Sequence, residues 1–364
     1  MQFNTLVGFS HTDQNEGSWY GNSPRNPFQI VWRAKPYENP FRPDGSVIFG
    51  AQTATFLRQI GNAIEGADNS VWTDKQIKVN SGLTTAYKLF PYLTIRNTFG
   101  IDVGSEWAQR SINANSYVGS LQTFQSGYNA ETFRIRAQLI NTTGALFSNR
   151  FGKHDVEAGA YFEVVRGYQK GLGFVLFNLD PRLNQTGQGA GTLPTGGSAT
   201  YPQNASSAKS GFGIRSYFAN GRYTYDNKYT ITGSVRRDGT SRILNDANKE
   251  ITTRALGVRW DAIKEEFMNN QSFLTDLRVK ASYGAVPNIG SIGTAGYGIS
   301  GGGIYGITNY LGPQLPTFGT TNAFAGSTIT GLVPTTPGNP DLRIETIEKT
   351  NIGVDFAFWK SRAK

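Results

Sequence analysis

Apolar and polar side chains alternate along much of the chain. In "NPDLRIETIEKTNIGVDFAFW" (339–359), Thr350, Ile352, Val354, Phe356 and Phe358 fall on one side of an extended segment, and Asn351, Gly353 and Asp355 on the other. This follows because strand side chains point alternately to the two faces. The pattern recurs where Tyr229, Ile231, Gly233 and Val235 oppose Lys228, Thr230, Thr232, Ser234 and Arg236. Leu277, Val279, Ala281 and Tyr283 oppose Arg278, Lys280 and Ser282 in the same way, and Val156, Ala158, Ala160, Phe162 and Val164 oppose Asp155, Glu157 and Glu163. A two-faced strand separates either a protein core from water, or lipid from a wet lumen.

Spacing bears on that choice. The pattern predicts ten strands, over 2–11, 76–89, 92–107, 131–147, 154–168, 212–225, 228–240, 251–261, 276–286 and 341–360. Short turns join them in pairs at Phe90-Pro91, "SNRFGK", "YDNK" and "KEEFMNNQSF", the last with room for a helical turn. The other connections, 12–75, 108–130, 169–211, 241–250 and 287–340, are mostly far longer than the median of about 4 to 6 residues in compact domains. Several strands exceed the roughly 5 to 6 residues usual in globular sheets. Short turns at one end and long loops at the other are the organisation of a transmembrane β-barrel. Aromatics gather beside the short turns, as Phe90 and Tyr92, Phe147 and Phe151, Tyr225 and Tyr229, Phe267 and Phe273, Phe358 and Trp359, which fits a girdle at one membrane interface.

Composition agrees. With 44 Gly, 17 Tyr, 23 Phe and 6 Trp but only 38% hydrophobic residues in 364, the chain is apolar on too few positions for a large soluble core. It has no Cys, which excludes disulfides, thiolate nucleophiles and thiolate metal sites. The formal charge is +9, yet Lys and Arg are scattered singly, as in "TFRIRAQ" and "DLRVKAS", so nucleic acid is not an expected partner. The first residues, "MQFNTLVGFS", lack the basic and apolar regions of a signal peptide. No run of about 18 apolar residues offers a helical span.

Three blocks carry a resemblance: "YFANGRYTYDNKYTITGSVRRDGTSRI" (217–243), "RALGVRWDAIKEEFMNNQSFLTDLRVKASYGAVPN" (254–288) and "GNPDLRIETIEKTNIGVDFAFW" (338–359). In wording, order and spacing they resemble the barrel of SusC/RagA-type TonB-dependent outer-membrane transporters. Residues 1–211 match in layout, including "NPF" at 26–28 and 39–41. The resemblance implies a 22-stranded barrel with an N-terminal plug, energised by TonB through a TonB box, and a SusD-like surface lipoprotein as a lid. The expected fold is therefore all-β: an antiparallel transmembrane β-barrel segment of about ten long strands, part of that larger barrel, with plug, TonB box, signal peptide and last strands absent from residues 1–364. The implied setting is the outer membrane of a Gram-negative bacterium. The implied function is TonB-coupled import of an oligosaccharide or oligopeptide. A passive pore or scaffold, and a soluble β-sandwich carbohydrate-binding module, are the other readings the residues allow.

Enzyme chemistry finds little footing. "GYGISG" (296–301) and "GGGIYG" (301–306) match G-x-G-x-x-G, but no helix is expected after them and the first acid that follows is Asp341, so a dinucleotide site is not expected. His11 and His154 are too far apart in sequence to indicate a zinc site or a Ser/His/Asp triad. The paired carboxylates Glu265 with Glu266 and Asp155 with Glu157 read as turn and lumen decoration rather than a glycosidase pair. No cofactor is expected. From Ala281 to Pro340 there is no charge and no His, while Tyr297, Tyr305, Tyr310, Phe318 and Phe324 are spread through hydroxyl-rich sequence. That surface suits stacking on neutral sugar rings or docking a lid protein. "GQGAGTLPTGG" (187–197) reads as a flexible loop tip. Arg134, Arg136 and Gln138 share one strand face and, with Asp355, are the expected lumen-facing residues.

Overall fold

The computed structural model describes residues 2–14, 37, 39–49, 62–120, 127–177, 179–180, 182, 204–270, 273–289, 294–296, 307–309, 314–322 and 330–358. It begins with strand β1 (Gln2–Gln14) and a one-and-a-half-turn helix, α1 (Ala63–Asp68), whose Asn62 side chain caps the Ile64 N–H. There follow β2 (Ser70–Phe90), β3 (Leu93–Ile112) and α2 (Tyr117–Ser120). Next come β4 (Tyr128–Phe151), β5 (His154–Phe177), β6 (Asn204–Tyr225), β7 (Tyr229–Thr240), β8 (Glu250–Trp260) and β9 (Leu274–Asn288). Four short strands, β10 (Thr294–Gly296), β11 (Ile307–Asn309), β12 (Thr317–Asn322) and β13 (Thr330–Thr336), precede the final β14 (Glu345–Phe358).

One ten-stranded sheet runs in the order β1-β2-β3-β4-β5-β6-β7-β8-β9-β14. Its ladders are antiparallel throughout. Among the described residues no ladder joins β1 to β14 or pairs their outer edges, so the sheet is an open wall and not a closed ten-stranded barrel. The short strands pair separately, β10 with β11 and β12 with β13.

The expected ten long strands are those of the sheet, but most extend further toward the long connections. β4 and β5 each have 24 residues. At that end alternation fades, as in "QRSI" (109–112) and "QKGLG" (169–173), because neither face there lies against a uniformly apolar medium. The last strand begins at Glu345 rather than 341, since residues 341–344 are irregular. The first turn consists of Pro91 and Tyr92, not Phe90 and Pro91; a bulge between Lys88 and Phe90 places Phe90 opposite Leu93.

The other short turns follow their residues. Asp226 and Asn227 both adopt positive φ, at 50° and 55°, as a primed hairpin turn requires. Gly152 supplies positive φ at the β4–β5 turn. The β8–β9 connection contains the expected helical turns, as 3-10 turns at Ala262–Lys264 and Glu266–Met268.

Candidate functional site: a polar wall with anchored loops

Register sorts the side chains of the sheet onto two faces, since directly paired residues point the same way. One face bears Ile231, Val235, Leu256, Val258, Tyr283, Ile352 and Val354, all exposed. Walking from the short turns along this face, no charged residue occurs until Arg166 on β5, Arg215 on β6, Arg237 on β7, Arg254 on β8 and Glu348 on β14. The opposite face is charged over its whole length. It forms an open hollow of about 820 Å³ whose lining includes Glu157, Tyr161, Arg222, Ser282, Lys349 and Asn351.

The centre of the polar face is a cluster that the sequence alone did not reveal. Arg236 donates to Glu163 at 2.7 Å, to Asp238 at 2.7 Å and to Ser216 at 2.8 Å. Ser216 donates to Asp238 at 2.5 Å, and Thr142 to Glu163 at 2.8 Å. The guanidinium also sits 4.7 Å from the Phe218 ring centre, and Phe218 stacks on Tyr161 at 4.6 Å. Tyr161 in turn lies flat over Gly144 and Gly159: a Cβ built at either glycine would come within 2.4 Å of the ring or its hydroxyl. Four strands, β4 to β7, are thereby locked through their inner side chains.

The expected lumen residues share this face. Arg134 is buried and paired with Glu106 on β3, both side chains 9% exposed. Arg136 and Gln138 are exposed on the same strand face. Asp355 accepts from Lys280 at 2.9 Å through both oxygens and lies opposite Arg278. Of the aromatic loop residues, Phe318 is exposed on β12; Tyr297, Tyr305, Tyr310 and Phe324 lie outside the described residues, as do Trp359 and the "GQGAGTLPTGG" segment.

At the long-connection end, two junctions fix the loops to the wall. Gln314 is buried; it donates to the Arg242 carbonyl and accepts from the Leu244 N–H, each at 2.7 Å. Arg242 donates to the Ile289 carbonyl at 2.8 Å and covers the Phe212 ring at 3.9 Å. Beneath them Ile243 and Ile344 form a small core with Ile251, Ile289 and Leu342. The second junction joins α1 to the β3–β4 connection: Asn113 donates to the Asn69 side chain at 3.0 Å, and the Tyr117 N–H to Glu65 at 3.0 Å. Asn62 holds the 39–48 hairpin through the Pro40 and Ile48 carbonyls.

At the other end aromatic rings gather beside the short turns; of the expected pairs Phe90 and Tyr92 are in ring contact, and the other contacts join different partners. Phe90 stacks on Tyr92, Tyr92 meets Phe147, Trp260 meets Phe267, and Phe273 stacks on Phe358. Glu265 accepts from Tyr229 at 2.5 Å, Trp260 at 3.1 Å and Lys228 at 3.1 Å. These bonds, from Tyr229 first, then Trp260 and Lys228, hold its carboxyl down at about 2. Among the described residues no group of three His, Cys, Asp or Glu is placed to hold a metal.

A long-stranded wall with one charge-free band, one wet face, short turns at one end and long connections at the other is the wall of a membrane-spanning β-barrel. The family model described as "TonB dependent receptor-like, beta-barrel" matches residues 2–363. The chain belongs to that family, whose members are outer-membrane proteins. TonB-dependent receptor P3 of Formosa agariphila is 25% identical over 332 residues, 88% of this chain and 30% of the relative. TonB-dependent receptor P26 of the same organism is 30% identical over 153 residues, 42% of this chain and 14% of the relative. Among solved structures, "Structure of the RagAB peptide transporter" matches with a TM-score of 0.76 at 20% identity, covering 99% of this chain and 37% of that one. The chain thus spans about a third of the length of these larger proteins.

Proposed function

We propose that this chain is part of the barrel wall of an outer-membrane transporter that imports a nutrient with energy delivered by TonB. The observation that carries the reading is the outward band, free of charge across β5 to β8 and β14 up to Arg166, Arg215, Arg237, Arg254 and Glu348, set against a wet opposite face. From His154 to Arg166 the strand advances about 40 Å, which at a tilt of 35–45° corresponds to about 30 Å of height, enough for the roughly 25 Å apolar band of such barrels. Arg134, Arg136, Gln138 and Asp355 then face the lumen. Family membership supports TonB coupling, which passes through a plug domain; the resemblance of residues 217–243, 254–288 and 338–359 to SusC/RagA-type barrels adds a SusD-like lipoprotein over the extracellular mouth.

The proposed substrate is an oligosaccharide, docked with the help of the charge-free, aromatic 281–340 region in which Phe318 is exposed. An oligopeptide is the second reading, favoured by the fold match to a protein described as a peptide transporter. Uptake of labelled neutral oligosaccharides and of peptides by cells carrying the full-length protein, with and without TonB, tests the proposal. TonB-dependent uptake of the oligosaccharides is expected. Uptake of either solute without TonB, together with swelling of liposomes containing the purified protein, would replace import by a passive pore.

A further inference from the structure

The outward face changes character abruptly where its uncharged band ends. On four adjacent strands, β5 to β8, the first charged outward residue is an arginine: Arg166, Arg215, Arg237 and Arg254. Val164 faces Arg215, Tyr217 faces Arg237, and Val235 faces Arg254. Each arginine is therefore one diagonal step from the next, about 7 to 8 Å away. Because the strands of such a barrel tilt by 35–45°, this diagonal runs around the wall at nearly one level instead of climbing it.

The local charge is unbalanced. Glu250 is shared by Arg215 at 3.4 Å and Arg237 at 3.0 Å. Arg166 and Arg254 are exposed and have no ion-pair partner among the described residues. One step further from the turns, Lys170 on β5 lies directly opposite Lys209 on β6, both exposed on the same outward face. Like charges directly opposed across a ladder are destabilising, and an anion placed between them relieves that repulsion.

We propose that the outward face of β5 to β8 binds a phosphorylated headgroup of an amphiphile in the outer leaflet. The inference rests on the membrane-spanning reading of the preceding section, with the long connections placed on the extracellular side as in barrels of this kind. Guanidinium groups grip phosphate oxygens two at a time; Arg166, Arg215, Arg237 and Arg254 take the phosphates at headgroup level. Lys170 and Lys209 meet anionic groups further out.

The test uses the full-length protein in nanodiscs containing bisphosphorylated lipid A or its fully dephosphorylated form, with bound lipid counted by native mass spectrometry. The native protein is expected to retain the phosphorylated form about tenfold better. Changing all four arginines to Gln is expected to bring the two lipids close to parity. The double variant Arg166→Gln/Arg254→Gln, which leaves the Glu250 pairs intact, is expected to lose a large part of the preference and serves if the quadruple variant does not fold. Equal retention of both lipids by the native protein, an unchanged preference in the variants, or capture of an acidic protein in place of lipid would overturn the inference while leaving the membrane orientation in place. Failure of the native protein to insert into the discs would overturn that orientation as well.

Discussion

Val354 is the position at which the orientation of the wall is most exposed to a single substitution. It lies on the charge-free face of β14, opposite Val279, and is 52% exposed. From Phe358, in the aromatic cluster near the short turns, the strand advances about 13 Å to Val354, which places it about 10 Å into a band of roughly 25 Å. An arginine here has no outward acid close by. Glu348 on the same strand is about 20 Å away, and the neighbouring outward residues of β9, Leu277, Val279 and Ala281, are apolar. Val354→Arg is therefore expected to cost about 2 to 4 kcal/mol, or roughly 30- to 700-fold in the assembly equilibrium. Asp355→Asn is the matched control, because it removes one partner of a pair whose side chains are about half exposed, worth about 0 to 1 kcal/mol. Asp355→Arg is not a matched control, because it sets a second arginine opposite Arg278 and loses the Lys280 pair. Heat-modifiable gel mobility of the full-length protein in outer-membrane fractions is the assay. Equal yields of the assembled form for Val354→Arg and Asp355→Asn would refute the assignment of faces.

Two further outcomes are expected. Glu265 has its carboxyl pKa lowered from 4.5 to about 2 by Tyr229, Trp260 and Lys228; a depressed acid stabilises fully above its unfolded value and loses that contribution as pH falls from about 4.5 toward 2. Hydrogen exchange around the β8–β9 connection should then accelerate over that acid window, and Glu265→Gln should remove the acid dependence; a pH-independent native rate would contradict the bonding seen at Glu265. Gln314→Ala leaves the Arg242 carbonyl and the Leu244 N–H without their partner, and limited proteolysis within 289–344 is expected to speed up while the ten-stranded sheet persists. An unchanged cleavage rate would mean that the Ile243–Ile344 core holds the junction alone.

Much of the architecture was legible in the chain because a membrane imposes a simple rule. Period-two alternation, as at Ile352, Val354, Phe356 and Phe358, survives wherever one side faces lipid, and it located the ten strands and their short turns, the first of these displaced by one residue. The strand extensions near the loops, such as 169–177 and 204–211, were not legible because lipid no longer constrains either face. Nor was the Arg236 cluster: its partner Glu163 is 73 positions away, and the two meet only through the registers of β5, β6 and β7. Alternation put Arg134 on one strand face with Arg136 and Gln138, but its burial against Glu106 depends on the β3–β4 ladder. Gln314 carried no sequence signal at all, being one polar residue in a long uncharged stretch whose role is set by two backbone groups on another connection.

The orientation of the whole wall can be read along β5, in a chain that contains no cysteine of its own. Single cysteines placed at each position from Asp155 to Arg166 in the full-length protein, assembled in membranes, would be labelled with a charged, membrane-impermeant thiol reagent and separately probed by a lipid-borne fluorescence quencher. The account predicts a period of two. Val156, Ala158, Ala160, Phe162 and Val164 should be quenched by lipid and resist the charged reagent, whereas Asp155, Glu157, Gly159, Tyr161 and Glu163 should escape the quencher, with labelling strongest where the native side chain is not packed. Uniform labelling along the strand, or quenching on the odd positions, would contradict it.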